Sequence, residues 1–281
     1  MEISLASERA FHITPQVALD VARVRVDDKR TNLVAGTVGA LLSRPKAEEI
    51  QLVSTENRLE PFWLVTIFAR TAYDRNRSYN VVVGGPEVQQ VTVLGQDVAV
   101  DTKAKGGPTL TLTGVEHCVE ERRVSQTFDG LSGQKADASK YLAFGKEEIA
   151  DLGSFAPEGR LVVPPEARAT AVVRQVMAEV VKPVQAQVLH EERVDVEAID
   201  LYFRPVYAFE YNWAAKGKRV VVEYDAVTGE TRTGGKTLSD QIKGMLTRDL
   251  LFDVTADAVG MLVPGGGIAV KLVKAVVDRG K

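Results

Sequence analysis

Apolar residues recur along this chain first at helical spacing and then at every second position, and that order is run through twice. After Thr14-Pro15, a pair suited to opening a helix, Ala18, Val21 and Ala22 fall on one helical face. The pattern resumes with Val34, Val38, Leu41 and Leu42 until Pro45 stops it, and the charged run Asp27-Asp28-Lys29-Arg30 divides it into two helices or one bent helix. Strands are predicted next at 50–53, 62–69, 79–83 and 88–94, joined by polar or Gly-Pro turns. The second pass opens at Pro164-Pro165, with Ala169, Val172, Val173, Val176 and Val180 forming one helical stripe before Pro183. Strands at 185–190, 199–213 and 219–224 follow, with a turn over 225–230.

The two passes share more than order. Leu59-Glu60-Pro61-Phe62-Trp63 and Phe203-Arg204-Pro205-Val206-Tyr207 each set a hydrophobic residue, a charge and a proline before an apolar-aromatic pair. Each leads into a basic stretch and a valine-rich run, Val81-Val82-Val83 in one case and Val220-Val221-Val222 in the other. The predicted fold is therefore α+β, with two related modules that each place a helix before an antiparallel sheet, plus C-terminal helices. The boundaries read from the pattern are a first module over 1–100, an insert with a hairpin over 101–163, a second module over 164–236 and a helical hairpin over 237–281. Thr237-Leu238-Ser239-Asp240 has capping-box spacing ahead of Ile242, Met245, Leu246 and Leu250.

Composition narrows the function classes. With 45% hydrophobic and 26% charged residues in 281, the chain has globular proportions and enough length for two cores. A net charge of -3 leaves no global basic field, so nucleic acid is disfavoured as a partner. The single cysteine, Cys118, excludes an intrachain disulfide framework and a multi-thiolate zinc site. That cysteine usage, together with the lack of a basic and then apolar leader in the first ten residues, points to the cytoplasm.

The second pass resembles the PepSY domain family over roughly 164–235. The matching residues are Tyr207, Phe209 and Tyr211, then Val220-Val221-Val222-Glu223-Tyr224, then the turn residues Asp225, Thr228, Gly229 and Glu230. The first pass, over 14–96, is a divergent copy in which Gly84-Gly85-Pro86-Glu87 stands at the turn. The resemblance implies a cystatin-like helix-plus-sheet module without catalytic residues.

Candidate chemistry is sparse. His117 and Cys118 are neighbours on a strand pattern and so point to opposite faces, which leaves a Cys-dependent hydrolase requiring His12 or His190 to approach through the fold. His190-Glu191-Glu192 lacks the second histidine of a zinc-protease helix, and Gly265-Gly266-Gly267 lacks the Lys-Ser/Thr ending of a phosphate loop. No catalytic, cofactor or metal residues are assigned. The interaction surfaces are two sets of basic residues placed in matching hairpin loops, Arg70, Arg75 and Arg77 with Lys216, Lys218 and Arg219, and the uncharged stretch holding Met261, Leu262, Val263 and Ile268, followed by Leu272. Over 258–277 that stretch reads as a hairpin buried against the modules, a self-association surface or a shallow membrane contact. The expectation is a non-enzymatic binding or assembly protein, with a peripheral membrane protein as the alternative.

Overall fold

The computed structural model describes residues 1–43, 46–235, 237, 251, 252, 254 and 271–274. Two short strands, β1 (Glu2–Leu5) and β2 (Glu8–Ile13), lead into helices α1 (Leu19–Asp27) and α2 (Arg30–Ser43) and then a single 33-residue strand, β3 (Ile50–Val82). A ribbon of β4 (Gln90–Val93) and β5 (Gln96–Asp101) returns the chain into β6 (Thr109–Asp129), and β7 (Lys146–Glu148) and β8 (Leu161–Val162) follow. Helix α3 (Ala169–Val180) precedes the 26-residue β9 (Val188–Trp213), the hairpin β10 (Lys218–Asp225) and β11 (Thr231–Gly235), and finally β12 (Lys271–Lys274).

These strands form one sheet in the order β11-β10-β9-β3-β6-β5-β4, with β1 and β2 pairing in parallel to β9 and β8 in parallel to β3. The expected α+β arrangement of two separate helix-and-sheet modules is corrected by this: the protein is predominantly strand, and a single mixed sheet runs through it. The strands predicted at 50–53, 62–69 and 79–83 are one strand. The polar stretch between the first two stays extended because Glu56, Arg58 and Glu60 find partners in the sheet instead of turning out to water.

The two proline segments lie side by side. Leu59 faces Pro205 and Pro61 faces Phe203, so the segments are antiparallel neighbours about a local two-fold at Glu60 and Arg204. Proline has no N–H to give a ladder, and each proline sits where its strand changes outer neighbour. On β3 the partner changes from β8 at Leu59 to β6 at Phe62, and on β9 from β2 at Phe203 to β10 at Val206.

Helix placement is the second correction. The aromatic row Tyr207, Phe209, Tyr211 and Trp213 packs with Ala22, Val26 and Val34 of α1 and α2, not with α3. The apolar face of α3, with Val172, Val173, Val176 and Val180, covers the other row, Trp63, Val65 and Ile67, together with Ile199, Leu201 and Phe203. Helices α1 and α2 thus lie on strands from the other half of the chain, α3 lies on β3 together with β9, and both helical layers share one face of the sheet. The opposite face carries a smaller core in which Phe62 and Tyr202 stack at 5.1 Å beneath Ala138 and Tyr141 from the loop after β6.

At the C-terminal end, Lys271–Lys274 is a strand parallel to β1, where a helical hairpin was expected, and Phe252 packs edge-on against Trp63 at 5.2 Å. The predicted capping segment 238–240 and the apolar residues Met261, Leu262, Val263 and Ile268 lie outside the described residues. Among the described residues no helix is long and apolar enough to cross a membrane.

Candidate functional site

The face of the sheet opposite the helices carries a buried network of charge at the local two-fold. Side chains alternate along a strand, so Glu56, Arg58 and Glu60 of β3 project to the face that Leu59 and Trp63 avoid. Arg204 on β9 and Glu223 and Asp225 on β10 project to the same side. Arg58 is 1% exposed. Its Nε donates to Glu56 Oε2 at 2.8 Å and its Nη1 to Glu223 Oε1 at 3.1 Å. Arg204 Nη2 donates to Glu60 Oε2 at 2.9 Å, and Arg232 of β11 reaches the same oxygen at 3.0 Å while its Nε bonds Glu223. Three guanidinium groups, from β3, β9 and β11, therefore bind buried carboxylates on β3 and β10, which offsets the cost of removing those charges from water.

The turn after β10 finishes the site. Asp225 Oδ1 accepts the N–H groups of Val227 and Thr228, both at 2.9 Å, and Gly229 adopts φ 78°, a conformation glycine takes without steric cost. The other oxygen of Asp225 accepts the Tyr141 hydroxyl, and Arg204 Nη1 donates to that hydroxyl oxygen at 2.7 Å. Tyr141 comes from the loop after β6, which is pinned at its start by Gly130: the Gly130 N–H meets Pro61 O at 3.0 Å, and a Cβ there would lie 2.6 Å from that same oxygen.

Between loop and turn lies a cavity of about 280 Å³. Phe62, Pro61, Val206 and Tyr141 give it an apolar wall, while Asp129, Asp137, Glu223, Asp225 and Glu230 stand against Lys140, Arg204 and Arg232. Lys140 and Glu230 close an ion pair of 2.6 Å from loop to turn. Burial pushes the Tyr141 phenol up to about 12, with the bond to Asp225 adding to the shift and Arg204 opposing it. Tyr202, stacked beneath, is also raised to about 12 by burial, with Asp200 contributing. A raised phenol pKa means the folded state holds the proton more tightly, so its stabilising contribution is complete below pH 10 and is lost as pH rises towards 12. In an alkaline titration followed by phenolate absorbance, both tyrosines are expected to ionise above the ordinary range with stability falling in that window. Tyr141→Phe is expected to remove one of these late-titrating groups.

The basic residues predicted as a surface pair are not brought together. Arg70, Arg75 and Arg77 lie within β3, not in a hairpin loop, since β3 continues to Val82. Arg70 pairs with Glu191 and Glu121, and Arg75 with Glu116. Lys216, Lys218 and Arg219 sit at the opposite end of the sheet, beside the Trp213 end of β9; Lys218 Nζ donates to Val34 O and Arg219 approaches Glu210. Leu272 has its backbone in β12.

His117 faces away from Cys118, and its Nδ1 lies 2.7 Å from Asp74 Oδ1. His190, the extra residue of a bulge between the Ala72 and Tyr73 rungs, reaches the other Asp74 oxygen at 2.8 Å. Hydrogen bonds from His190 and then His117 hold the Asp74 carboxyl below its usual range. Cys118 hydrogen-bonds only its neighbourhood, Glu116 O at 3.8 Å, and neither imidazole is placed on its sulfur. Among the described residues no cluster of His, Cys, Asp or Glu is arranged to hold a metal ion.

Arg58, Arg232 and Tyr141 were not singled out by the sequence pattern, although a signal existed: Glu56, Arg58 and Glu60 are charges at period two inside an apolar strand, which requires partners from other strands. A search of protein-family models finds no match, and neither curated proteins nor solved structures yield one.

Proposed function

We propose that this chain is a non-catalytic binding protein whose site is the cavity between the loop after β6 and the β10–β11 turn, and that its ligand carries a cationic group. One observation carries the reading: five carboxylates line the cavity against three cationic side chains, beside an apolar wall. An ammonium or guanidinium end suits that excess, and an aliphatic or aromatic stem suits Phe62 and Val206. The PepSY-like reading stays part of the proposal, and of the turn residues it rests on, Asp225 and Glu230 line the cavity. The cytoplasm remains the proposed compartment, on the strength of the single cysteine.

Calorimetry with a panel of alkyl amines and short basic peptides, set against matched carboxylates, tests the site. Binding confined to the amines, weakened at least about tenfold by Glu230→Lys and preserved in Lys218→Ala at the far end of the sheet, is the expected result. Binding confined to carboxylates, or amine binding indifferent to Glu230→Lys, would overturn it.

A further inference from the structure

Among the described residues strand β6 has one side open. β5 covers it only at Thr109 and Leu110, and at its far end Thr127 O accepts Ala136 N–H at 3.1 Å and Asp129 N–H donates to Gln134 O at 2.9 Å. Among the described residues no strand pairs with the intervening stretch, 111–126, on that side. Those same bonds fix the direction of the backbone groups: odd-numbered residues of β6 turn their N–H and C=O outward, while even-numbered ones face β3, in agreement with the Val83 N–H to Pro108 O bond one rung beyond the strand. Val115 and Val119 are both outward-bonding residues, and their side chains are 54% and 56% exposed. A long edge of unsatisfied donors and acceptors with exposed valines is a template for another strand.

We infer that the occupant is a second copy of this chain, joined edge to edge through β6 in antiparallel register about a two-fold axis at Val119. The open window is centred between Cys118 and Val119, and partners in a continuous sheet must share a face, so only the registers centred on one or the other fill it. Centring on Cys118 would set Glu116 against the partner's Glu120, twice over. Centring on Val119 sets Glu116 against the partner's Arg122 and His117 against the partner's Glu121, each also twice. Charge selects the second register. It also extends pairs already present, since Glu116 is held by Arg75 at 2.5 Å and His117 by Asp74, which gives rows that alternate acid and base across the junction. In this register the outward-bonding residues from Thr113 to Ser125 meet one another, so the odd-numbered rungs are hydrogen-bonded on groups that β3 does not use, and the even-numbered rungs lie between them.

The test is the solution mass of the full chain by light scattering, with two variants. Val119→Pro deletes an outward N–H without touching the β3 ladder, and it is expected to convert a dimer to a monomer with an unchanged far-ultraviolet spectrum. In a Cys118→Ser background, Val119→Cys is expected to form a disulfide-linked dimer on mild oxidation, while the unaltered chain with Cys118 does not. A monomeric unaltered chain would overturn the proposal, as would a Val119→Pro variant that stays dimeric. Crosslinking through Cys118 and not through Val119→Cys would overturn the register.

Discussion

Arg58→Ala is expected to lower the unfolding free energy by about 3–5 kcal/mol, the range for removing one partner of a buried charge cluster. The side chain is almost wholly buried and bonds Glu56 and Glu223, with Glu60 at 3.9 Å. Its removal leaves Glu56 without that guanidinium and Glu223 with Arg232 alone, while the surrounding sheet gives water little access. The loss should exceed that of a surface pair such as Arg123 with Glu197, where about 0–1 kcal/mol is at stake. Arg58→Lys tests the cause: a single ammonium keeps the charge but cannot fork to two carboxylates on different strands, so it should recover only part of the loss. Urea denaturation of the three chains gives the comparison, and equal stability of Arg58→Ala and the unaltered chain would show that the cluster is compensated without it.

The charge cluster also explains what was legible in the sequence. Period-two apolar rows such as Trp63, Val65 and Ile67 identified their strands, because one face of a sheet must exclude water and the pattern follows. The stripe on α3 was equally readable. What the pattern could not convey was the partner of each row. A helix stripe fits any apolar sheet face, and nothing local to Val172 or Val176 states that they meet Trp63 and not Tyr211. The run from Ser54 to Glu60 resembled a loop for a related reason. Its charges are satisfied by Arg204, Glu223 and Arg232, more than a hundred residues away in sequence, so the information that makes it a strand is not in the run.

The cavity was hidden by the same separation. Its rim combines Tyr141 from a segment read as an insert with Asp225 from a turn read only as part of the PepSY-like pattern. The turn residues were visible, but their role depends on Tyr141 and Arg204 arriving from elsewhere to use the second oxygen of Asp225. Basic residues read as hairpin loops drew notice instead, although Arg70, Arg75 and Arg219 are bound to acids on adjacent strands. Exposed charge at intervals of two on a strand is a poor guide to a site, whereas buried charge at the same interval marks the ion network beside the proposed cavity.

Trp63→Ala is the second large effect, expected at about 3–5 kcal/mol. Trp63 is wholly buried at the centre of the helical face, where its ring meets α3 residues and the edge of Phe252, and its indole N–H donates to Ala167 O at 2.9 Å. That bond fixes the segment that enters α3, and Ala167 N–H is itself bonded to Gly130 O. The indole thus joins β3 to the start of the helix covering it. Two contributions can be separated. Trp63→Phe retains most of the buried ring and loses the N–H bond, so it should cost roughly 1–2 kcal/mol, with the Ala167 carbonyl left unpaired. Trp63→Ala adds the cavity left by the indole. Because Trp63 projects to the face opposite the charged cavity, Trp63→Phe should leave the affinity for an amine ligand unchanged while stability falls. A matching loss of affinity would mean that the helical layer and the cavity are coupled through β3, and the two faces of the sheet could not then be treated as independent.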